Sequence, residues 1–186
     1  MSSEVQEGFP KTAGIDYEVT EISIPVYHNG EYVETMEGKA YLKLRREEPY
    51  KNMFDRSQLD FFVEQWEVHA YSQTLGKNVF MTLSDVPQPK NTTLANQKGK
   101  DYPATIMYNA IYDVYVENEC VLKNQAGLGI NHEIYNVPPE TTINFQKLFE
   151  FQGTSFMAGA CACPSGARMS AEQWEEEVQK VLELRN

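Results

Sequence analysis

Hydrophobic and polar residues alternate with a period of two along most of the chain, which is typical of β-strands with one buried face. In the first such stretch, Ile22, Ile24 and Val26 share one face and polar residues occupy the other. Asn29-Gly30 follows directly, and this dipeptide accepts the positive φ angles that a tight hairpin turn requires. The pattern therefore predicts a β-hairpin centred on these two residues.

Two later stretches with the same alternation carry aromatic residues on the face that we expect to be buried. One begins at Leu59, and the other is the long run from 104 to 122. The aromatic members of these two faces are Phe62, Trp66, Tyr108 and Tyr112. In all we count about eight or nine strands joined by short turns, which predicts a mainly β fold, either an antiparallel β-barrel or a β-sandwich.

Two features interrupt the strand pattern. Gly38 predicts a bulge or bend, because a glycine inside a strand often marks one. Residues 85–101 contain several prolines, asparagines and lysines and form the longest irregular stretch. A loop of that length is either mobile or functional, for instance a lid over a site.

The pattern changes to a helical period at the C-terminal end. Ser170 can cap a helix and Gln173 can reach back to it, which makes a capping box. The apolar stripe of this helix consists of Trp174, Val178, Val181 and Leu182. We therefore predict one amphipathic α-helix over residues 170–184, which docks on an open sheet face or closes one end of a barrel.

The domain organisation follows from length and composition. A chain of 186 residues fits one domain, so we expect a single β-rich domain over 15–186. Residues 1–14 lack periodicity and are predicted to form a flexible or draped arm. The first residues have neither the basic start nor the apolar run of a signal peptide, and we expect a cytoplasmic protein.

The charge balance excludes some classes of partner. The formal net charge is −11 and the pI is about 4.7. Such a surface repels nucleic acid and anionic lipid, because both are bound by cationic side chains. Lys43, Arg45 and Arg46 form the main basic cluster, and glutamates follow them at once. We interpret this cluster as a solvated strand end and expect neither nucleic acid nor membrane as a partner.

The predicted inward-facing aromatic residues indicate a site for a small-molecule ligand. A barrel lined by Trp66, Phe62, Tyr108 and Tyr112 could hold one largely apolar or aromatic molecule. His132, Asp113 and Tyr112 are the candidates for acid–base turnover without a cofactor, as in an isomerase or a cyclase. The alternative is an aromatic core that side chains simply fill.

Two other classes of function stay open. His69 and His132 with a carboxylate could bind a transition metal, which would make the protein a metal-dependent enzyme. Cys161 and Cys163 have neither the redox nor the zinc spacing, and a compact linker is the simpler interpretation. A non-catalytic interaction or assembly module, which forms a homo-oligomer through strand edges or aromatic loops, is the third hypothesis.

Overall fold

A computed structural model describes residues 8–29, 31–139, 144–145, 148–151, 154–157, 159–160 and 169–186. The fold is mainly β with antiparallel strands and one C-terminal helix, which confirms the predicted fold class. Within the described residues the strands are β1 (Gly14–His28), β2 (Glu31–Arg46), β3 (Tyr50–Lys51), β4 (Ser57–Ser72), β5 (Lys77–Leu83), β6 (Asn91–Ala95), β7 (Ala104–Val116), β8 (Glu119–Ile134), β9 (Asn144–Phe145), β10 (Leu148–Phe151), β11 (Thr154–Met157) and β12 (Gly159–Ala160). The helix is α1 (Ala171–Arg185).

The strands form one sheet that curls into a partial ring. Its main path runs through β1, β2, β4, β5, β7 and β8. β9 pairs with β8, β12 pairs with β1, and β9 contacts β12, so the two ends of the path approach each other. β1 and β2 form the hairpin predicted at Asn29-Gly30, and Asn29 has the expected positive φ of 49°.

The helix lies on the outer face of the ring. Ser170 is its N-cap, and its side chain accepts a hydrogen bond from the backbone N–H of Gln173. Trp174, Val178 and Val181 of the helix pack against Tyr41 and Phe80 of the sheet. The predicted helix is therefore confirmed, and it docks on a sheet face. In the described part of the chain, no helix is long and apolar enough to cross a membrane.

The described part of the N-terminal arm lies against the core. Phe9 is buried, contacts the ring of Tyr102 edge to face at 5.2 Å, and donates its backbone N–H to Asp101 Oδ2 at 2.8 Å. β1 begins at Gly14. Phe9 holds the arm against the core. Its neighbours in the sequence show no alternation, so the hydrophobic pattern does not reveal this contact.

The structure differs from the expectation of a lid in residues 85–101 and of a bulge or bend at Gly38. The predicted lid contains β6, which pairs with β4 and β7 and extends the sheet. Gly38 lies inside the continuous strand β2, and no register shift occurs there. A Cβ at Gly38 would lie 2.3 Å from the carbonyl oxygen of His69 and 2.8 Å from the Cβ of Ala70. Gly38 therefore allows β2 to approach β4 closely, and it does not mark a bend.

Candidate functional site

The interior of the ring contains two apolar clusters that meet at Trp66 and Leu42. The rings of Trp66 and Tyr112 meet edge to face with centroids 5.0 Å apart. Phe61 and Tyr108 make a similar contact at 5.1 Å in the neighbouring cluster. Three residues of the predicted site, Trp66, Tyr108 and Tyr112, thus lie inside the ring.

Burial changes the acidity of the two interior tyrosines. Tyr108 and Tyr112 are 4% and 2% exposed. Burial, with the added effect of the Glu18 and Asp16 carboxylates, raises the pKa of Tyr108 well above its ordinary value. Burial alone raises the pKa of Tyr112 as well. Both phenols therefore keep their proton at neutral pH and can donate a hydrogen bond.

Charged residues also face the interior, and none of them was predicted as a site residue. In the β1–β2 hairpin, Asp16 pairs with Leu44 and Glu18 pairs with Leu42. Because directly opposed residues share a face, both carboxylates lie beside interior leucines. Glu18 is only 5% exposed. Asp16 Oδ2 accepts a hydrogen bond from Arg46 Nε at 2.8 Å, and this ion pair is largely buried.

A small cavity lies among these groups. Its polar lining consists of Asp16, Glu18, Arg46 and Tyr108. Its apolar lining consists of Leu44, Leu59, Phe61, Ile106, Val137 and Pro138. The free volume is ≈ 10 Å³, which is about the space that one water molecule needs. The polar groups therefore converge on one point inside an otherwise apolar enclosure.

Arg46 connects this cavity with the N-terminal arm. Its Nε atom bonds Asp16, and its Nη1 atom donates to the backbone carbonyl of Thr12 at 2.7 Å. A Cβ at Gly14 would lie 2.6 Å from Arg46 Nη2. Lys43 and Arg45 instead point outward and pair with Glu64 at 3.9 and 2.8 Å. The interpretation of the basic cluster as a solvated strand end is therefore wrong for Arg46.

Phe62 was predicted to line the ligand site, and the structure places it outside. The pairing of β2 with β4 shifts by one residue at Glu64, because Lys43 faces Gln65 whereas Leu44 faces Val63. Such a bulge reverses the faces of the strand on its two sides. Phe61 therefore points inward, and Phe62 lies under the Arg45 guanidinium at 4.5 Å.

His132 was also predicted to face inward, and it is exposed. Its strand pairs Asn131 with Ile106 and Ile134 with Ala104, so β8 contains one more residue than β7 at this point. Asn96 Nδ2 donates to the His132 carbonyl at 2.8 Å across the irregularity. The extra residue turns the His132 side chain away from the interior.

Asp113 lies on the outer face of β7 and has structural partners. Its Oδ1 atom accepts hydrogen bonds from the Ser84 hydroxyl and, at 2.8 Å, from the backbone N–H of Asn124. Its neighbours Tyr112 and Val114 are buried on the inner side. The structure thus separates Asp113 from Tyr112, with which it was predicted to act.

The proposed metal ligands do not come together. His69 stacks on Phe80 at 5.0 Å on the outer face, and its Nε2 atom lies 2.9 Å from Asn78 Oδ1. His132 is on β8, which does not pair with the His69 strand. Across the described ranges, no group of three histidine, cysteine, aspartate or glutamate residues could hold a metal ion. Cys161 and Cys163 lie outside the described residues.

A signal for the missed charged residues is present in the alternation. Counting back in steps of two from Ile22 reaches Glu18 and Asp16, and counting forward from Leu44 reaches Arg46. Within a single strand, however, a charged residue at the end of an inward-facing series resembles an ordinary solvent-exposed strand end. Their meeting point depends on the β1–β2 register, which is a property of the folded hairpin.

Comparison with known proteins shows a structural likeness. No protein-family description and no curated protein matches the sequence. Among solved structures, the chain is similar to DynF from the dynemicin biosynthesis pathway of Micromonospora chersina, with a TM-score of 0.58 and 10% identity. The alignment covers 92% of this chain and 88% of that one. At this identity the likeness shows a shared fold.

Proposed function

We propose that the protein binds a small, largely apolar or aromatic molecule inside the ring, with a polar group of that ligand directed at Glu18 and Tyr108. The main support is the burial of a carboxylate and a phenol next to each other in an apolar enclosure. Removing a charged group from water costs several kcal/mol. If these positions served only to fill the core, apolar residues there would make the protein more stable. The likeness to DynF, which comes from a biosynthetic pathway, is compatible with a small-molecule ligand.

The ligand must displace part of the cavity wall, because the free volume of ≈ 10 Å³ is far smaller than the molecule proposed. Val137 and Pro138 follow β8 and contribute to this wall without being part of a strand. Backbone outside the sheet ladder moves at lower cost than the paired strands. We therefore place the entry at this segment.

The same groups could support turnover. Glu18 would accept a proton from the bound molecule, and Tyr108, which keeps its own proton, would donate a hydrogen bond to the oxygen where negative charge develops. This is the arrangement that an isomerisation or a cyclisation requires. All of these groups belong to the chain, so the proposed chemistry needs no cofactor. His132 and Asp113 have no part in it, since both lie outside the ring.

Calorimetric titration with 2-naphthol tests the binding proposal. This probe has an aromatic body and one hydroxyl group that can donate to Glu18. We expect saturable binding, at least about tenfold weaker in Tyr108→Phe and in Glu18→Gln. We also expect 2-naphthoate to bind more weakly than 2-naphthol, because two carboxylates line the cavity.

Tyr32→Phe is the matched control, because Tyr32 is 59% exposed and its hydroxyl bonds the exposed Thr35 at 3.0 Å. It should leave the affinity unchanged within about a factor of two. Far-UV circular dichroism shows whether each variant is folded. If Glu18→Gln does not fold, Tyr108→Phe still tests the proposal, because it removes one hydroxyl and keeps the shape of the side chain. The proposal fails if wild-type protein shows no saturable binding, or if folded Tyr108→Phe binds as tightly as wild type.

A further inference from the structure

A second concavity lies on the outside of the ring, between the N-terminal arm, β3 and the start of β4. Its volume is ≈ 700 Å³, which is within the usual range of small-molecule sites. Its lining includes Phe9, Lys11, Tyr50, Lys51, Ser57 and Asp101. None of these residues lines the interior cavity, so the two sites are separate.

A chain of hydrogen bonds fixes one side of this concavity. Lys51 Nζ donates to Ser57 Oγ at 2.8 Å, and the Ser57 hydroxyl donates to Asp101 Oδ1. The other oxygen of Asp101 accepts the backbone N–H of Phe9 at 2.8 Å. Ser57 is only 5% exposed, whereas the Lys51 side chain is exposed. The ammonium group of Lys51 is therefore held in place before any ligand arrives.

The described lining of this concavity carries two cationic side chains and one acidic side chain, although the whole chain is acidic. The whole chain carries −11. Among the described residues, six cationic side chains lie within 4 Å of a carboxylate, namely Lys43, Arg45, Arg46, Lys90, Lys180 and Arg185. Lys11 and Lys51 make no such ion pair with any described residue. Both lie in the concavity, where Asp101 is the only acidic residue of the described lining. The local charge therefore favours an anion.

The wall beside the lysines can hold an apolar group. The Tyr50 ring is 44% exposed, and its hydroxyl donates to Asp60 Oδ2 at 3.1 Å, which limits its rotation. Pro49 and Phe9 also line the concavity. From these features we propose that the concavity binds a small organic anion, with its carboxylate or phosphate group at Lys51 and Lys11 and its apolar body against Tyr50.

Titration with benzoate and with phenyl phosphate tests this proposal, and the comparison of the two shows which anionic group is preferred. We expect at least one of them to bind with a dissociation constant of about 1 mM or lower. Benzylammonium has a similar ring and the opposite charge, and it should not bind. Raising the salt concentration from about 0.05 M to about 0.5 M should weaken the binding, because the ammonium groups are exposed.

Lys51→Gln and Lys11→Gln should each weaken the binding about tenfold, and Lys77→Gln is the control. Lys77 is also exposed, and it lies at the start of β5, outside the lining of the concavity. Tyr108→Phe should have no effect, which separates this site from the interior one. The proposal is refuted if neither anion binds saturably, or if Lys51→Gln binds the preferred anion as tightly as Lys77→Gln does.

Discussion

Truncation of Trp174 measures how strongly the C-terminal helix is attached to the ring. The indole is 2% exposed and packs against Tyr41, Phe80 and, at 5.5 Å between rings, Tyr17. Replacing a buried tryptophan with alanine costs about 3–5 kcal/mol through lost transfer energy and the cavity that is left. The indole N–H also donates to the Glu18 carbonyl at 3.2 Å. A hydrogen bond of this kind contributes about 0.5–1.5 kcal/mol. We therefore expect the loss of stability in Trp174→Ala to lie in the upper half of the range of about 3–5 kcal/mol.

Two further variants separate packing from the hydrogen bond. Trp174→Phe keeps most of the ring contacts and loses the N–H donor, so we expect a loss of about 1–2 kcal/mol. Leu184→Ala changes a residue of the same helix that is 55% exposed. It should change the free energy of unfolding by less than about 0.5 kcal/mol.

Urea denaturation followed by far-UV circular dichroism is the suitable assay. Tryptophan fluorescence is not, because Trp174→Ala removes one of the two tryptophans and so changes the signal itself. A constant m-value with a lower midpoint shows that stability has changed. Native-state hydrogen exchange of the helix amides detects the case in which the helix detaches while the sheet stays folded. A loss below about 1 kcal/mol in both measurements would refute the reasoning, since that is the range of surface changes.

Three other substitutions test features of the sheet. Phe61→Ala should cost about 3–5 kcal/mol and Phe62→Ala about 1 kcal/mol or less, because Phe61 is fully buried inside the ring whereas Phe62 is only partly buried on the outer face; equal losses in urea denaturation would contradict the assignment of faces. Burial raises the pKa of Glu67, so its contribution to stability is complete below its unfolded-state pKa and is lost as the pH rises through the folded-state pKa. Glu67→Gln should therefore gain stability relative to wild type as the pH is raised from about 4 to about 7, and a difference that is flat or falls with pH would exclude this. Gly38→Ala should cost about 1–3 kcal/mol in thermal or urea unfolding, because its Cβ would meet the His69 carbonyl; an unchanged midpoint would show that the strands can separate there.

The fold class and the helix could be predicted because they depend on short-range patterns. Alternation with a period of two identifies a strand, and the cap at Ser170 with the stripe through Trp174 identifies a helix. For the same reason Tyr108 and Tyr112 were correctly placed on the inner face, since the alternation of β7 is unbroken from one to the other. Patterns of this kind are local, and the sequence displays them directly.

The errors at Phe62 and His132 have a common physical cause. Each strand contains an extra residue relative to its partner, and one extra residue moves every later side chain to the opposite face. Nothing in the local composition around Glu64 marks that position, because the bulge depends on how β4 pairs with β2. The convergence of Asp16, Glu18 and Arg46 is also a matter of pairing, so a sequence pattern within one strand could not show it.

The hydrogen bond from Trp174 to the Glu18 carbonyl joins the outside of the ring to its interior. The backbone of Glu18 holds the helix, while the side chain of the same residue lines the cavity. For a ligand that binds as proposed, we therefore expect detachment of the helix and occupation of the cavity to be linked equilibria, with the same coupling free energy in both directions. A ligand that requires Glu18 in its present position will bind more weakly when the helix is detached. At saturation, the same ligand will slow amide exchange in the helix by the same factor. On this proposal, the exchange of the helix amides reports on the state of a cavity whose described lining contains no helix residue.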